Sequence, residues 1–387
     1  MSYRDINSDI RITEVHSYSD RKLFASLPSV LYKKNETFSP QLLFDELRFQ
    51  NPQKNPFLKR NIHCFFLAWK NAKPAGRISV HLDEEYENKY GKGTGFFGCF
   101  DAAKDKAVLE ALLYEAEKWL LRRGKYKVQG PYYFNINQIC GLQINGYEES
   151  PTVKTGYSPP WISSYLKLAG YQKAKDLLCY THKTSESREW LERARKARKK
   201  WKDTSRLKIH SLKKSEYPAH IDAMRRLYNE SYSDNWGSVP ISYEEAEYIN
   251  RLMKPLLFKG WTKLAYIDGK LVGMLSLIPN LDEKILNMNG KLFPFNFLEL
   301  LYSLKFTHFK KARIPVICVA PRYKNTLTGG AIVTSLMAGT LKTAIRSKVK
   351  EIEISWMLED NNNILNFVKK LPATPVRTYR LYEKNLK

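Results

Sequence analysis

The residues Pro315-Val316-Ile317-Cys318-Val319-Ala320, with the Gly329-Gly330-Ala331 turn that follows them, decide the fold of this chain. The first stretch has the apolar, β-branched composition of a buried strand, and a polar loop and an apolar-periodic helix come after it. The first amides of a helix lack intrahelical acceptors, and glycine lets an anion approach the backbone. The pattern therefore indicates an anion site, although an ordinary strand–loop–helix connection explains the same residues equally well.

Length and charge narrow the number of domains and the kind of partner expected. A chain of 387 residues is long for one hydrophobic core, so two domains are expected, and 43% hydrophobic residues are enough to build them. The formal net charge of +25 predicts an anionic partner. Nucleic acid, an anionic membrane surface and a polyphosphate cofactor all fit this charge, which does not choose among them.

The cysteines, histidines and apolar runs bear on compartment and chemistry. Five scattered cysteines without CxxC spacing predict reduced core residues and no zinc site. The histidines show no metal-ligand spacing, and HExxH, GxSxG and P-loop patterns are missing, so metal, serine-hydrolase and kinase chemistry have no support. With no secretion signal and no long uncharged apolar run, we expect a cytoplasmic protein, with peripheral contact at the inner membrane face as the further expectation.

The second half of the chain repeats the first. Leu67-Ala68-Trp69 and Gly76-Arg77-Ile78-Ser79 form a predicted hairpin, and Leu264-Ala265-Tyr266 with Gly273-Met274-Leu275-Ser276 reproduces it. Each hairpin is followed by a strand, a helix, a strand, an Asn-bearing loop, a short helix and a closing strand. The duplication predicts two copies of one α/β domain with a mixed sheet.

The two predicted domains cover residues 1–182 and 207–387, with a basic helical linker at 183–206. Within the linker, Ser187–Lys202 carries a dense run of Lys and Arg. Such a run is usually a solvated helix face, and a patch for acidic lipid headgroups is the alternative.

Two differences separate the halves. Asp101-Ala102-Ala103-Lys104 stands in the first half where the second has its Gly-Gly helix entry, so the first half is predicted to lack the anion site. The second half carries an insertion, Leu281–Ile314, whose aromatic and apolar part is Leu292–Phe306. A helix packed over the sheet, a wall of an acyl-chain tunnel and an interfacial helix are all open for this segment.

A resemblance to a known family rests on these features and on six further stretches. They are Gly95-Phe96-Phe97-Gly98-Cys99-Phe100, Gly130-Pro131, Cys140-Gly141-Leu142, Ala169–Leu177, Asp234–Pro240 and Ser355–Asn361. With the order of strands and helices, they resemble the GNAT superfamily of acyl-CoA N-acyltransferases, twice over nearly the whole chain. The resemblance is closer to tandem-GNAT bacterial proteins, the group that contains the bacterial ceramide synthases.

The resemblance implies that acyl-CoA is the co-substrate, bound in the second half. The backbone of the strand would hydrogen-bond the pantetheine arm, the amides at the helix N-terminus would bind the pyrophosphate, and two basic side chains would add positive charge. Two positions depart from the family pattern: Thr326 stands in the usual Gln/Arg place of the loop, and Val368 stands where many members carry a Tyr proton donor. The predicted cofactor-binding residues are Val319, Ala320, Arg322, Lys324, Thr328, Gly329, Gly330 and Ala331.

N-acylation needs a neutral amine, a polarised thioester carbonyl and a protonated leaving thiolate. Glu353 lies in the middle of a predicted strand, where burying a carboxylate costs free energy unless the group is ion-paired or takes part in catalysis. Glu353 is therefore the predicted base, and structural pairing with Lys or Arg is the alternative. Glu359 and Asp360 follow at the strand's C-terminal end, where open α/β sheets expose their sites, and are further catalytic candidates. Capping of the next helix by Asp360 or Asn361 is the alternative there.

The resemblance also implies acceptor contacts from a loop ahead of the capping box at Ser242 and Glu245. The predicted substrate-binding residues are Asp234, Asn235 and Trp236 in this loop, with Asn137 and Tyr379.

The function predicted is acyl-CoA-dependent transfer of an acyl group to an amine, with a long-chain, sphingoid-type amine as the specific hypothesis. A short-chain N-acetyltransferase for a peptide or small amine is an alternative, and a non-catalytic basic binding module is another. Nucleic-acid binding ranks last because the chain has no aromatic–basic RNA motif.

Overall fold

The structure, a computed structural model, describes residues 9–201, 206–258, 260–288, 296–306 and 308–387. Its strands are β1 (Ile10–Glu14), β2 (His63–Lys70), β3 (Lys73–His81), β4 (Thr94–Ala102), β5 (Lys127–Gly130), β6 (Leu142–Asn145), β7 (Gln172–Lys183), β8 (Leu207–Ser211), β9 (Thr262–Ile267), β10 (Lys270–Pro279), β11 (Lys311–Val319), β12 (Glu351–Leu358) and β13 (Ala373–Asn385). Its α-helices are α1 (Tyr18–Leu31), α2 (Leu43–Phe49), α3 (Pro56–Arg60), α4 (Glu84–Tyr90), α5 (Lys106–Leu121), α6 (Pro160–Leu168), α7 (Ser187–Lys200), α8 (Tyr217–Tyr232), α9 (Tyr243–Met253), α10 (Asp282–Ile285), α11 (Asn296–Phe306), α12 (Leu327–Arg346) and α13 (Asn362–Lys370).

The chain forms two compact units that are not contiguous in sequence. The first unit contains Met1–Leu177, Lys284–Phe297 and Arg377–Lys387, and the second contains Leu178–Glu283 and Leu298–Val376. Most of β13 therefore belongs to the first unit, although it is the last strand of the chain. The division into two functional domains at 182 and 207 stays a prediction, because compactness by itself does not assign function.

The first unit is built on a mixed sheet with strand order β1-β2-β3-β4-β5-β13. β1 to β4 are antiparallel neighbours, β4 and β5 are parallel, and β13 returns antiparallel to β5 with Tyr382 opposite Gly130. Helix α5 lies across β2 and β3 and buries Val108 and Leu112 against them. Its N-cap is Asp105, whose carboxylate accepts from the amides of the first turn, and α5 is the helix predicted to follow the first hairpin and its next strand.

The second unit repeats this arrangement with strand order β8-β9-β10-β11-β12-β7. β8 to β11 are antiparallel neighbours, and β11 and β12 are parallel. Helix α12 lies across β9 and β10 as α5 does in the first unit, and it buries Ile332 and Leu336 completely.

Equivalent glycines identify equivalent positions in the two sheets. Gly76 lies opposite Ala102, and Gly273 lies opposite Val319. A Cβ on Gly76 would lie 2.8 Å from Leu112 Cδ1, and a Cβ on Gly273 would lie 2.6 Å from Ile332 Cγ2. Both glycines thus let the crossing helix approach the sheet. The predicted internal duplication and the mixed α/β class are confirmed.

The segments of unusual composition have defined positions in the structure. Of the basic segment Ser187–Lys202, residues 187–200 form α7, whose Trp190 and Ala194 are buried in the core of the second unit, and residue 202 lies outside the described residues. On its exposed side, Arg188 and Arg193 pair with glutamates one helical turn away. Of the apolar segment Leu292–Phe306, residues 296–306 include α11, and residues 292–295 lie outside the described residues. All five cysteines are buried thiols, as predicted.

A glycine substitution pair tests the packing of the first unit. Gly98→Ala would place its Cβ 1.6 Å from the Tyr132 carbonyl oxygen, a backbone atom that cannot rotate away. We expect it to lower the free energy of unfolding by about 3 kcal/mol or more in urea denaturation. Gly330→Ala, whose Cβ meets nothing within 4 Å in α12, should stabilise by about 0.5–1 kcal/mol. Equal stabilities for the two variants would contradict the packing described.

Candidate functional site

The site begins where two parallel strands separate. The register of β11 with β12 runs from Lys311–Glu351 to Ile314–Ile354, whereas β11 continues to Val319 and β12 to Leu358. On its other side, where it pairs with β10, β11 carries a bulge. The step from Ser276 to Ile278 in β10 covers two residues, whereas the facing step from Val316 to Arg313 in β11 covers three. The extra residue bends β11 next to the last pair. We call the gap between Pro315–Val319 and Ser355–Leu358 the wedge.

Two hydroxyls from α8 bond the backbone of β11 at the wedge. The Tyr232 hydroxyl donates to the Ile317 carbonyl at 2.9 Å and accepts from the Ile317 amide at 3.4 Å. The Ser231 hydroxyl donates to the Val319 carbonyl at 2.9 Å. Burial holds the pKa of Tyr232 well above its ordinary value. These side chains occupy backbone positions that a neighbouring strand would otherwise bond.

Sequence reasoning did not identify Ser231 or Tyr232. The available signal was their place at the end of an amphipathic helix, directly before the predicted acceptor loop. A Ser-Tyr pair at such a place is common and carries no specific pattern, so only the contact with β11 distinguishes them.

The backbone of the predicted pantetheine residues is partly engaged within the protein. The Ala320 amide donates to the Val272 carbonyl at 2.9 Å, and the Ala320 carbonyl accepts from the Tyr323 amide at 2.9 Å. Ala320 thus bonds toward β10 and its own loop, while Val319 bonds toward α8. A ligand running along β11 would meet the Val319 edge and compete with the Ser231 hydroxyl.

The N-terminus of α12 explains the unusual loop residue. Thr326 is the N-cap: its hydroxyl accepts from the Gly329 amide at 3.0 Å and donates to the Tyr323 carbonyl at 2.8 Å. A Cβ on Gly329 would lie 2.0 Å from that same carbonyl, so the loop backbone itself requires glycine. Gly330 differs, since a Cβ there would meet nothing within 4 Å. Thr326 therefore fixes the helix end, and Gly330 faces open space.

Two cations flank this helix end. Arg322 is exposed and its guanidinium lies over the Tyr323 ring at 4.9 Å from the centroid, and Lys324 is half-buried. Thr328 lies in the first turn of α12, and Ala331 starts the second turn. The structure thus places the predicted loop residues around one helix N-terminus, where the amides and the helix dipole favour an anion.

A buried polar chain forms the base of the wedge. The Arg313 Nε donates to the Ser355 hydroxyl at 2.9 Å, and that hydroxyl donates to Glu353 Oε1 at 2.7 Å. The Arg313 guanidinium also donates to the Ser355 carbonyl at 3.2 Å and lies over the Trp356 ring at 4.7 Å. Arg313, Glu353 and Ser355 are each at least 96% buried. Glu353 is therefore linked through Ser355 to an arginine that the sequence prediction had not named.

The other catalytic candidates lie at the open end of β12. Glu359 is half-buried and Asp360 is exposed, both just beyond the strand. The N-cap of α13 is Asn361, whose side chain accepts from the Ile364 amide at 3.4 Å. Val368, in the place of the family's tyrosine, is fully buried in the core. No proton can come from that position.

The predicted acceptor residues are divided between the units. Asp234, Asn235 and Trp236 follow α8 in the second unit, in a loop anchored by the Asn235 amide on the Tyr232 carbonyl at 3.0 Å. Asn137 and Tyr379 belong to the first unit, where Tyr379 is fully buried beside Gly141. The structure brings the first three together in one loop.

In the first unit the corresponding gap is partly filled. The register of β4 with β5 ends at Phe96–Gln129, and the chain after β5 then folds onto β4, with the Tyr132 amide donating to the Phe97 carbonyl at 2.8 Å. Gly98 makes room for the Tyr132 carbonyl. The backbone of residues 131–133 thus occupies part of the gap that is open in the second unit.

Metal ions and membrane spans can be examined only in the described part of the chain. There, no three His, Cys, Asp or Glu side chains cluster so as to hold a metal ion. Among the helices in that part, none has the length and apolarity needed to cross a bilayer.

Two relatives align along nearly the whole chain, whereas no protein-family model matches it. Protein YghO of Escherichia coli (strain K12) is 32% identical over 374 residues, which cover 95% of this chain and 93% of that protein. The bacterial ceramide synthase of Caulobacter vibrioides (strain NA1000 / CB15N) is 30% identical over 387 residues, which cover 100% of both chains.

Solved structures support the fold. A tandem GNAT protein from the clavulanic acid biosynthesis pathway matches with a TM-score of 0.59 at 11% identity, over 98% of this chain and 99% of that one. A GCN5-related N-acetyltransferase from Sphaerobacter thermophilus matches with a TM-score of 0.52 at 11% identity, over 98% and 96% of the two chains. At such identities the likeness concerns the fold alone, and the predicted tandem GNAT fold is confirmed.

Removing the buried arginine should destabilise the second unit. Arg313→Leu leaves the Ser355 hydroxyl and the Glu353 carboxylate buried without that cation, so we expect a loss of about 3–5 kcal/mol in urea denaturation. Arg322→Leu removes an exposed cation of the same length and should change stability by no more than about 0.5 kcal/mol. A loss for Arg313→Leu no larger than that of the control would show that the chain does not depend on this cation.

Proposed function

This chain belongs to the family of the Caulobacter vibrioides ceramide synthase, an acyltransferase family with the tandem GNAT fold, and we propose that it transfers an acyl group from acyl-CoA to an amine. The observation that carries this proposal is the wedge between β11 and β12, which opens beside the N-terminus of α12. The thioester of acyl-CoA can lie in such a wedge while the CoA diphosphate lies at the helix N-terminus, which favours anions.

The residues present fit acyl-CoA. Gly330 faces open space, where a Cβ would meet nothing within 4 Å, and Thr328, Gly329 and Ala331 lie at the same helix end. Because the Gly329 amide donates to the Thr326 hydroxyl and the Gly330 amide donates to the Thr326 carbonyl, the diphosphate would depend more on the Thr328 amide and on the side chains of Arg322 and Lys324, with the open space at Gly330 leaving room for it. The pantetheine arm would follow the edge of β11 and compete with Ser231 for the Val319 carbonyl.

Four side chains can handle protons around the wedge. Glu353 is the proposed base, acting on the acceptor nitrogen directly or through a water, while Ser355 and Arg313 hold its carboxylate in place. Glu359 and Asp360 at the mouth are the alternatives. With Val368 buried, Tyr232 is the proposed proton donor to the leaving thiolate, since its hydroxyl already lies on β11.

For the acceptor we propose a long-chain amine met at an anionic membrane surface. The name of the Caulobacter relative supports a sphingoid-type amine. On α11, Leu298 is 64% exposed and Tyr302 is 61% exposed, whereas Leu300 and Ser303 on the same helix are buried. An exposed apolar helix face on a chain of net charge +25 suits peripheral contact with anionic lipid. A cytoplasmic protein at the inner membrane face is the corresponding location.

Calorimetric titration with palmitoyl-CoA and acetyl-CoA tests the donor. We expect one palmitoyl-CoA per chain, bound at least tenfold more tightly than acetyl-CoA because the acyl chain adds apolar burial. Mass spectrometry of a mixture of long-chain and short amines then identifies the acylated product. Equal affinities with acylation of the short amine would establish the short-chain N-acetyltransferase instead, and no binding of either thioester would refute the proposal.

A substitution at Gly330 separates binding from stability. Gly330→Asp puts a carboxylate into the open space, where it repels a diphosphate, yet an acidic residue near a helix N-terminus does not destabilise the helix. We expect the dissociation constant of CoA to rise at least tenfold while the melting temperature is kept. Gly330→Ala is the matched control and should bind CoA like the native chain. Unchanged binding by Gly330→Asp would place the diphosphate elsewhere.

A pair of glutamates on one strand tests the base. Glu353→Gln keeps the shape and one acceptor oxygen for Ser355, so we expect kcat to fall by a factor of about 100 or more, in the range for loss of general base catalysis. Glu351→Gln is the control, because Glu351 lies two residues earlier on the same strand and pairs with Lys311 at 3.2 Å. A normal kcat in folded Glu353→Gln would assign the role to Glu359 or Asp360.

A further inference from the structure

The first unit contains a cavity of about 70 Å³ that the proposed reaction in the second unit does not use. It lies between α1, the end of β4 and the loops that follow β5 and β6, and all residues that line it belong to the first unit. At roughly 10–15 Å³ for each water-sized group, the cavity has room for about five to seven non-hydrogen atoms. A small ligand or the head of a larger one fits.

A buried charged cluster forms one wall. The Arg77 Nε donates to Asp101 Oδ2 at 2.8 Å, and its two terminal nitrogens donate to the Phe24 carbonyl at 2.8 Å and to the Tyr133 hydroxyl at 3.0 Å. Glu46 Oε2 lies 3.6 Å from Arg77 Nη1. Of the charged residues that line the cavity, two are therefore anionic and one is cationic.

The fold does not need this cluster. By the equivalence of Gly76 with Gly273, Arg77 and Asp101 occupy the positions that Met274 and Cys318 occupy in the second unit. Met274 and Cys318 are also opposite each other and buried. One scaffold thus accepts an apolar pair where its duplicate carries an ion pair, and burying charge instead of apolar side chains costs stability. A function other than folding explains why the first unit has charge there.

Two buried groups on the cavity wall lack a hydrogen-bond partner. They are the Ser39 hydroxyl and Glu46 Oε2, on residues 5% and 7% exposed. Burial raises the pKa of Glu46, and the charges of Arg77 and Lys154 lower it by less. An unbonded carboxylate oxygen and hydroxyl deep in a cavity call for a ligand that brings its own N–H and O–H donors.

We propose that this cavity binds a small ammonium group that carries a hydroxyl beside its nitrogen. The ammonium donates to Glu46, and the ligand's hydroxyl bonds Ser39. Ala25, Pro28 and Phe100 on the same wall accept the carbon skeleton. The site is independent of acyl-CoA binding in the second unit, so failure of one proposal does not decide the other.

Three molecules of equal size test the assignment by NMR titration of the full chain. Ethanolamine has both groups, ethylene glycol lacks the amine and propylamine lacks the hydroxyl. We expect ethanolamine to saturate with a dissociation constant on the order of millimolar, as four heavy atoms allow, and the other two to bind at least tenfold more weakly. Equal binding of ethylene glycol would show a hydroxyl site without charge recognition, and no binding of ethanolamine would also overturn the proposal.

Substitutions locate the binding. Glu46→Gln should weaken ethanolamine at least tenfold, and Ser39→Ala, which removes no charge, should weaken it about three- to tenfold. Glu110→Gln on the exposed face of α5, paired with Lys106 at 3.4 Å, is the control and should bind normally. Native affinity in both Glu46→Gln and Ser39→Ala would overturn the site.

A triple variant separates binding from folding. Arg77→Met with Asp101→Cys and Glu46→Gln gives the first unit the apolar pair of the second. We expect it to fold with an unchanged or higher melting temperature and to give no response to ethanolamine. An unfolded triple variant would show that the cluster is structural and would refute the functional explanation.

Discussion

A parallel strand that extends beyond its neighbour leaves backbone N–H and C=O groups that must find other partners. β11 extends beyond its last pair with β12 at Ile314, and the second unit is organised around that fact. Ser231 and Tyr232 bond the exposed edge from α8, and the buried Arg313–Ser355–Glu353 chain closes the base of the gap. The α12 N-terminus then adds an electropositive helix end at the mouth. The proposed donor site, the proposed proton-handling groups and the predicted acceptor loop all lie at this discontinuity of the sheet.

The two copies resolve the same discontinuity differently. In the first unit the backbone around Tyr132 fills the gap beside β4, and no glycine-rich helix entry follows. What remains open there is a small cavity with a charged wall in place of the apolar Met274–Cys318 pair. The duplication thus allows the two copies to be compared on the same scaffold. Where equivalent positions are charged in one copy and apolar in the other, the charge indicates a function other than folding.

Much of this architecture could be predicted because it depends on local patterns. Apolar runs separated by turn residues predicted the hairpins, helical periodicity predicted α12, the repeated order of elements predicted the duplication, and the resemblance implied the GNAT fold. The loop residues around Gly330 were also placed together, since they are neighbours in the chain. Thr326 was recognised as off pattern, but its role as an N-cap bonding Gly329 and Tyr323 needed the geometry.

The sequence by itself determined the repeated secondary structure and the Gly-Gly entry into α12, because hydrophobic periodicity, caps and glycines act over a few residues. Only the tertiary structure decided which distant groups meet. It joined Arg313 to Glu353 through Ser355, brought Tyr232 onto Ile317, and assigned most of β13 to the first unit, next to β5. Those pairings depend on strand order, on where a parallel pair ends and on which buried polar groups must be satisfied. Such constraints act between residues far apart in the chain, where no local pattern records them.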